Sequence, residues 1–224
     1  MIFLFSGRTS SDRRAAVSRK LACGYVLAGG SSTRFGQDKA LVTLGGTPVL
    51  ASILDVLAGS CVRDTIVVGE KAKYGRFGAR CIKDKWPGEG PLGGIITALD
   101  CSGVNKHGYR WSLILSCDMP FLTKEWLWYL CQRSTVTEAD VVVPRSRSGL
   151  EPLCACWRTA AVKPLRAAFE RGVRKVTEGI ALLKAEVVDE ADWKRFDKEG
   201  RLFWNMNTQA EYEEARRILE AEGK

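Results

Sequence analysis

Four short stretches of this chain hold residue types that could handle a polyanionic ligand. The first is Leu27-Ala28-Gly29-Gly30-Ser31-Ser32-Thr33-Arg34-Phe35-Gly36-Gln37-Asp38-Lys39. An apolar run, Cys23–Ala28, breaks into two glycines, three hydroxyls, an arginine, a third glycine and a lysine. Without a Cβ in the way, the N–H groups of Gly29 and Gly30 can approach a phosphate. Arg34 and Lys39 bring positive charge to the same anion. A tight turn followed by surface cations is the plainer reading, but so many suitable groups in one short segment favour the phosphate. The spacing is not that of a P-loop, and it is not Gly-x-Gly-x-x-Gly.

The second stretch is Leu113-Ile114-Leu115-Ser116-Cys117-Asp118-Met119-Pro120. A carboxylate at the end of a buried strand suits Mg²⁺, which takes one or two carboxylates together with phosphate oxygens and water. Asp118 could instead cap a turn. The Met119-Pro120 pair restricts the backbone and projects the side chain outward, which favours the metal. The third is Asp84-Lys85-Trp86-Pro87-Gly88-Glu89-Gly90-Pro91-Leu92-Gly93-Gly94, a loop that opens a helix and whose amides could meet a base edge or an anion. Taken alone it is a long connector. In the fourth, Asn205-Met206-Asn207-Thr208, both amides could bind phosphate or a polar ring, and turn chemistry accounts for them equally well. Asn205 and Asn207 share a face if a strand continues through them.

Other chemistry has little support. The single histidine, His107, lies in a turn-like stretch, so no Ser-His-Asp arrangement is credible. Eight cysteines show neither Cys-x-x-Cys nor metal-ligand spacing. They read as buried free thiols in a reducing cytosol, with Cys154 and Cys156 packing from one face of a strand and a metal pair there as the remote alternative. Basic residues are not interleaved with an RNA-binding aromatic motif, which argues against nucleic acid as a partner. The basic run over 70–85 reads as a solvated face. No apolar run is long enough to span a bilayer, and Met1–Phe5 is too short for a secretory signal core, so a cytoplasmic location is expected.

The elements that would position these groups alternate between strand and helix. Strands are predicted at Cys23–Ala28, Thr65–Val68, Arg80–Ile82, Trp111–Cys117, Val141–Val143, Leu153–Trp157, Val187–Val188 and Leu202–Trp204. Helices are predicted at Pro48–Ala58, Pro91–Leu99, Lys124–Gln132, Ala160–Arg171 and Val176–Leu183, and the capping box Thr208-Gln-Ala-Glu211 opens a last one. This order predicts an α/β three-layer αβα sandwich around a mostly parallel, Rossmann-like sheet. Ligands of such sheets sit beyond the carboxyl ends of the strands. Both the Gly29-Gly30 bend and Asp118 fall there. The 224 residues suffice for one well-cored domain, expected over 21–224. Residues 1–20 hold five basic residues against Asp12, which is +4 of the net +8, and lack any core-forming pattern. They predict a disordered basic extension, with a native start near Val17.

Together these segments resemble the molybdenum cofactor guanylyltransferases, the MobA-type enzymes of the nucleotidyltransferase superfamily, from about Leu21 to Ala221. Leu27-Ala28-Gly29-Gly30 with Arg34, Phe35-Gly36 and Asp38-Lys39 matches the first family motif, although methionine is commoner than Phe35. Asp84 with Gly90–Gly94 matches the second, Cys117–Pro120 the metal motif, and Asn205–Thr208 the late asparagine motif. The resemblance implies transfer of GMP from GTP to molybdenum-bound molybdopterin. It puts the backbone of Leu27, Ala28, Gly29 and Gly30 on GTP, Lys39 on its phosphates, Asp84 on the nucleotide and Asp118 on Mg²⁺. Arg34 and Lys39 would stabilise the leaving pyrophosphate, and Asn205 and Asn207 would touch substrate. It also implies transient contact with molybdenum-insertion and molybdoenzyme-chaperone proteins. Relatives often carry an asparagine where this chain has Gly69. The Arg145–Gly149 and Pro152-Leu153 segments correspond to a variable region and receive no role. Cytidylyl relatives tend to read Leu-Ala-Ala-Gly; the Leu-Ala-Gly-Gly here is compatible with a purine. The rival readings are a nucleotidyltransferase that uses CTP or a sugar or alcohol phosphate, and a non-catalytic nucleotide-binding or cofactor-delivery module.

Overall fold

The computed structural model describes residues 22–29, 38–104, 108–197 and 199–221. The expected 1–20 extension, Gly30, Arg34 and His107 lie outside the described residues. The main sheet is built from β1 (Ala22–Leu27), β4 (Val62–Val68), β5 (Arg80–Ile82), β6 (Trp111–Ser116), β7 (Val141–Ser146), β8 (Gly149–Leu150), β9 (Cys154–Arg158) and β10 (Ala185–Val188). Its order is β10-β7-β9-β6-β1-β4-β5, with β8 paired to β7; β2 (Thr43–Leu44) and β3 (Thr47–Pro48) form a separate hairpin. Along the main path only β9 runs against its neighbours, β6 and β7. The sheet is therefore mixed and mostly parallel, as the β-α-β order predicts.

Strand periodicity sorts the side chains into two cores, one on each face of the sheet. In β9, Cys154 and Cys156 join the first core, whereas Ala155 and Trp157 join the second. In β1, Ala22 and Val26 face the first core while Cys23 and Tyr25 face the second. Helices α1 (Val49–Ala58), α4 (Lys124–Val136) and α8 (Gln209–Ala221) cover the first core. Helices α3 (Pro91–Val104), α5 (Val162–Glu170) and α6 (Val176–Ile180) cover the second. Helices α2 (Lys71–Tyr74) and α7 (Glu190–Trp193) are single turns. Two helical layers around a sheet make the expected three-layer α/β sandwich. Among the described residues, no helix is long and apolar enough to cross a membrane.

Two expectations require correction. Leu202–Trp204 is not a strand but a turn, in which Trp204 N–H donates to the Arg201 carbonyl at 2.9 Å. Its apolar residues pack as an aromatic cluster: Phe203 stands edge-on to Trp126 and to Trp193, and Trp204 edge-on to Phe121. The apolar run reports this packing, not sheet pairing. Asn205 and Asn207 consequently share no strand face. The second correction concerns the cysteines. Cys61, just before β4, and Cys131, on α4, are joined in a disulfide; the other six are free. The partners are 70 residues apart in sequence and meet only where α4 packs on the first core, so spacing gives no sign of the pair.

Candidate active site

Parallel pairing brings the carboxyl ends of β1, β4, β5 and β6 to one edge. Leu27 lies opposite both Ser116 of β6 and Val68 of β4, and Val68 lies opposite Ile82 of β5. Four strand ends then supply the walls: Ala28-Gly29 from β1, Val68 of β4, Cys117-Asp118 from β6, and Asp84 just past β5. These residues line a cavity of about 270 Å³ together with Leu27, Asp38, Lys39, Gly88 and Gly90. The Gly29 bend and Asp118, predicted to converge, line the same cavity.

Backbone structure holds each wall in place. Ala28 N–H donates to the Val68 carbonyl at 3.0 Å, which fixes the bend after β1. A Cβ added to Gly29 would meet only the Val68 carbonyl, at 3.9 Å. Among the described residues, packing thus leaves that position open. The opposite wall is the loop before α3. Asp84 Oδ1 accepts from Trp86 N–H and from Thr97 Oγ1, each at 3.0 Å, tying the loop to the helix. Gly88 and Gly90 have φ of +81° and +89°, a region that favours glycine. Behind the loop, Arg174 bonds Glu89 at 2.7 Å and lies over the Phe169 ring, against which Trp86 packs.

The late asparagine segment reaches the site from α8. Met206 N–H donates to the Asp118 carbonyl at 2.9 Å, and Lys39 Nζ donates to Asn207 Oδ1 at 2.9 Å. Glu211 completes the capping box, accepting from the N–H groups of Asn207 and Thr208 and from Thr208 Oγ1. Those bonds and the nearby Lys39 ammonium hold the Glu211 carboxyl below its ordinary range, against partial burial. Asn205 does not line the cavity; its side chain donates to the Phe203 carbonyl at 3.2 Å.

The described lining carries three carboxylates, Asp38, Asp84 and Asp118, against one ammonium, Lys39. Burial pushes the Cys117 thiol up to about 12, with Asp118 and Asp38 adding to the shift and Lys39 opposing it. Asp118 Oδ1 is buried and has no hydrogen-bond partner among the described residues. An orphaned carboxylate oxygen is costly in a dry setting, and a divalent cation would satisfy it. Among the described residues no group of three or more ligating side chains surrounds it. A cation there would draw its remaining ligands from phosphate and water, as Mg²⁺ does with nucleotides.

Sequence reasoning missed several lining residues. Asp38 stood beside Lys39 in the first motif without a role of its own. Leu153 enters because antiparallel β9 brings its carbonyl to Ser116 N–H at 2.8 Å, and no local pattern signals that approach.

Comparison with known proteins identifies the family. The MobA-like NTP transferase domain model matches residues 24–187. A probable molybdenum cofactor guanylyltransferase of Pelotomaculum thermopropionicum is 31% identical over 200 residues, 89% of this chain and 94% of that protein. A molybdenum cofactor guanylyltransferase of Nitrobacter hamburgensis is 30% identical over 206 residues, 89% of this chain and 95% of that protein. The crystal structure of molybdopterin-guanine dinucleotide biosynthesis protein A from Archaeoglobus fulgidus superposes with a TM-score of 0.75 at 26% identity, covering 89% of this chain and 99% of that one. The Gly29 bend and the Asp118 carboxylate meet at one edge of a mostly parallel sheet, and the family match spans most of the chain; this protein is an enzyme of the nucleotidyltransferase type and belongs to the MobA-like NTP transferase domain family.

Proposed function

We propose that this protein transfers GMP from GTP to the terminal phosphate of molybdenum-bound molybdopterin, giving molybdopterin guanine dinucleotide and pyrophosphate. The observation that carries this reading is the unpartnered, buried Oδ1 of Asp118 in the same cavity as the open Gly29 backbone. The names of the two curated relatives supply the guanylyl donor and the molybdenum cofactor acceptor.

In the reaction an acceptor phosphate oxygen forms a new bond to the α-phosphorus of GTP, and the bond from that phosphorus to the bridging oxygen breaks. The acceptor is already anionic, so no protein base is required. The backbone at Leu27, Ala28 and Gly29 seats the nucleotide, and the loop of Gly88 and Gly90 closes its other side. Lys39 sits where its ammonium can hold the departing phosphates, and Arg34 of the same motif is assigned to them as well. Asp84 anchors the nucleotide-side loop. Asp118 would hold Mg²⁺, which when bound shields the α-phosphate charge and aligns the displacement. Asn207 holds Lys39 from the α8 side, and Asn205 braces the turn at Phe203. We assign the reaction to the cytoplasm, with transient contact to molybdenum-insertion and molybdoenzyme-chaperone proteins.

The test is incubation with Mg²⁺, each of the four NTPs in turn and molybdenum-loaded molybdopterin, with pyrophosphate release followed and the product identified by mass. A guanine dinucleotide formed with GTP is expected. Turnover with another NTP in preference to GTP, or tight GTP binding without pyrophosphate release, would overturn the reading.

A further inference from the structure

Gly69, at the end of β4, and Tyr74, at the end of α2, form a fitted pair beside the nucleotide cavity. A Cβ added to Gly69 would lie 2.6 Å from Tyr74 Cε2, 2.8 Å from Cδ2 and 3.1 Å from the Ala28 carbonyl oxygen. The ring therefore occupies the space that any side chain at 69 would take. Gly69 N–H donates to the Ile82 carbonyl at 2.8 Å, so the backbone under the ring is pinned to β5. Tyr74 itself is only 3% exposed.

Its hydroxyl has one specific partner. Tyr74 OH donates to Asp38 Oδ2 at 2.7 Å, while Asp38 Oδ1 accepts from Ala40 N–H at 3.1 Å. The Asp38 carbonyl accepts from Leu41 N–H at 2.9 Å, closing a tight turn with Lys39 at its tip. Asp38 and Lys39 both line the cavity. The turn is thus held by its carboxylate on the β4 side, and by the bond from Lys39 to Asn207 on the α8 side.

We propose that Tyr74 is a positioning residue for the nucleotide. Seated on the bare backbone of Gly69, it fixes Asp38 through its hydroxyl and so sets where the Lys39 ammonium meets the phosphates of GTP. The inference rests on the guanylyl-transfer reading and adds to it. Asp38 serves the turn and not the metal: its two carboxylate oxygens are already engaged, in contrast to Asp118 Oδ1. Gly69 is then a steric requirement of the tyrosine and not merely a lost contact to the nucleotide.

The experiment measures pyrophosphate release as a function of GTP concentration for the wild type, Tyr74→Phe, Gly69→Ala and the double variant. Tyr74→Phe keeps the packing and loses one hydrogen bond to a charged acceptor. Its KM for GTP is expected to rise about tenfold with kcat nearly unchanged, beside a modest fall in the thermal midpoint from the unpaired Asp38 oxygen. Gly69→Ala keeps the hydroxyl but displaces the ring and should show the same split between KM and kcat. The double variant should be no worse than the poorer single one, because both act through the same contact. An unchanged KM in Tyr74→Phe, a loss confined to thermal stability, or full additivity in the double variant would overturn the proposal. A wild type that releases no pyrophosphate from GTP would overturn the functional reading and this inference with it, and the wild-type control separates that failure from the others.

Discussion

The ammonium of Lys39 donates to Oδ1 of Asn207 at 2.9 Å, a bond between residues 168 positions apart. It joins the first motif of the chain to the last. The asparagine is held in turn by its own backbone, since its N–H donates to Glu211 at 2.7 Å in the cap of α8. The end of the chain therefore aims a cation that the beginning supplies.

This arrangement separates the effects of two substitutions. Lys39→Ala removes a charge from the phosphates and should reduce kcat/KM for GTP by about 10²-fold, as loss of a charged stabilising donor does. Asn207→Ala leaves the charge and removes only its support, so a loss nearer tenfold is expected, mostly in KM. Steady-state kinetics with GTP varied would check both. Equal losses would show that Asn207 contacts substrate directly.

Asp118 should trade stability for function. Its buried Oδ1 has no partner, while its backbone carbonyl holds Met206 independently of the side chain. Asp118→Ala removes an uncompensated group, so the metal-free protein should gain about 1 kcal/mol of stability. The same change should lower kcat about 10²–10³-fold by removing the metal's protein ligand. Thermal melts in chelator alongside turnover in Mg²⁺ would test the pair. Near-normal turnover would remove the metal assignment.

The part of the site that was legible in the sequence comes from strand ends. An apolar run that stops at Gly29 and another that stops at Asp118 must finish at the same edge once their strands lie parallel, and the register of Leu27 with Ser116 does this. What could not be read depends on approaches with no local pattern. Leu153 reaches the cavity only because β9 runs antiparallel beside β6. Tyr74 reaches Asp38 across 36 residues, and Cys61 reaches Cys131 across 70. Leu202–Trp204 misled because its apolar residues are buried by aromatic packing, a burial that sheet and cluster signal alike in composition.

Neighbouring glycines should respond in opposite ways to an added methyl. At Gly29 the methyl meets, among the described residues, only a carbonyl at 3.9 Å, so Gly29→Ala should leave stability within about 0.5 kcal/mol and act on nucleotide binding alone. At Gly93, within α3, it would lie 3.0 Å from Trp86 Cβ and 3.4 Å from the Trp86 carbonyl. The gain in helix propensity, about 1 kcal/mol, is then outweighed by overpacking of about 1–3 kcal/mol. Gly93→Ala should therefore melt lower and also weaken GTP use, because it shifts the loop of Gly88 and Gly90. Thermal melts and GTP titrations of both variants would decide it.

The Cys61–Cys131 bond closes a 70-residue loop and should stabilise the fold without touching the chemistry. Chain-entropy reasoning for a loop of that size gives at most about 4 kcal/mol, or about 10 °C in melting temperature for a domain of this length. The bond lies at the amino end of β4, whereas Val68 at the other end lines the cavity. Seven residues of strand separate them by about 20 Å. Reductant should therefore lower the melting temperature of the wild type while leaving kcat and KM for GTP unchanged. A Cys61→Ala, Cys131→Ala variant should melt at one temperature with or without reductant. A wild type insensitive to reductant would show that the bond contributes nothing to the fold, and loss of activity on reduction would show that the disulfide reaches the cavity through β4.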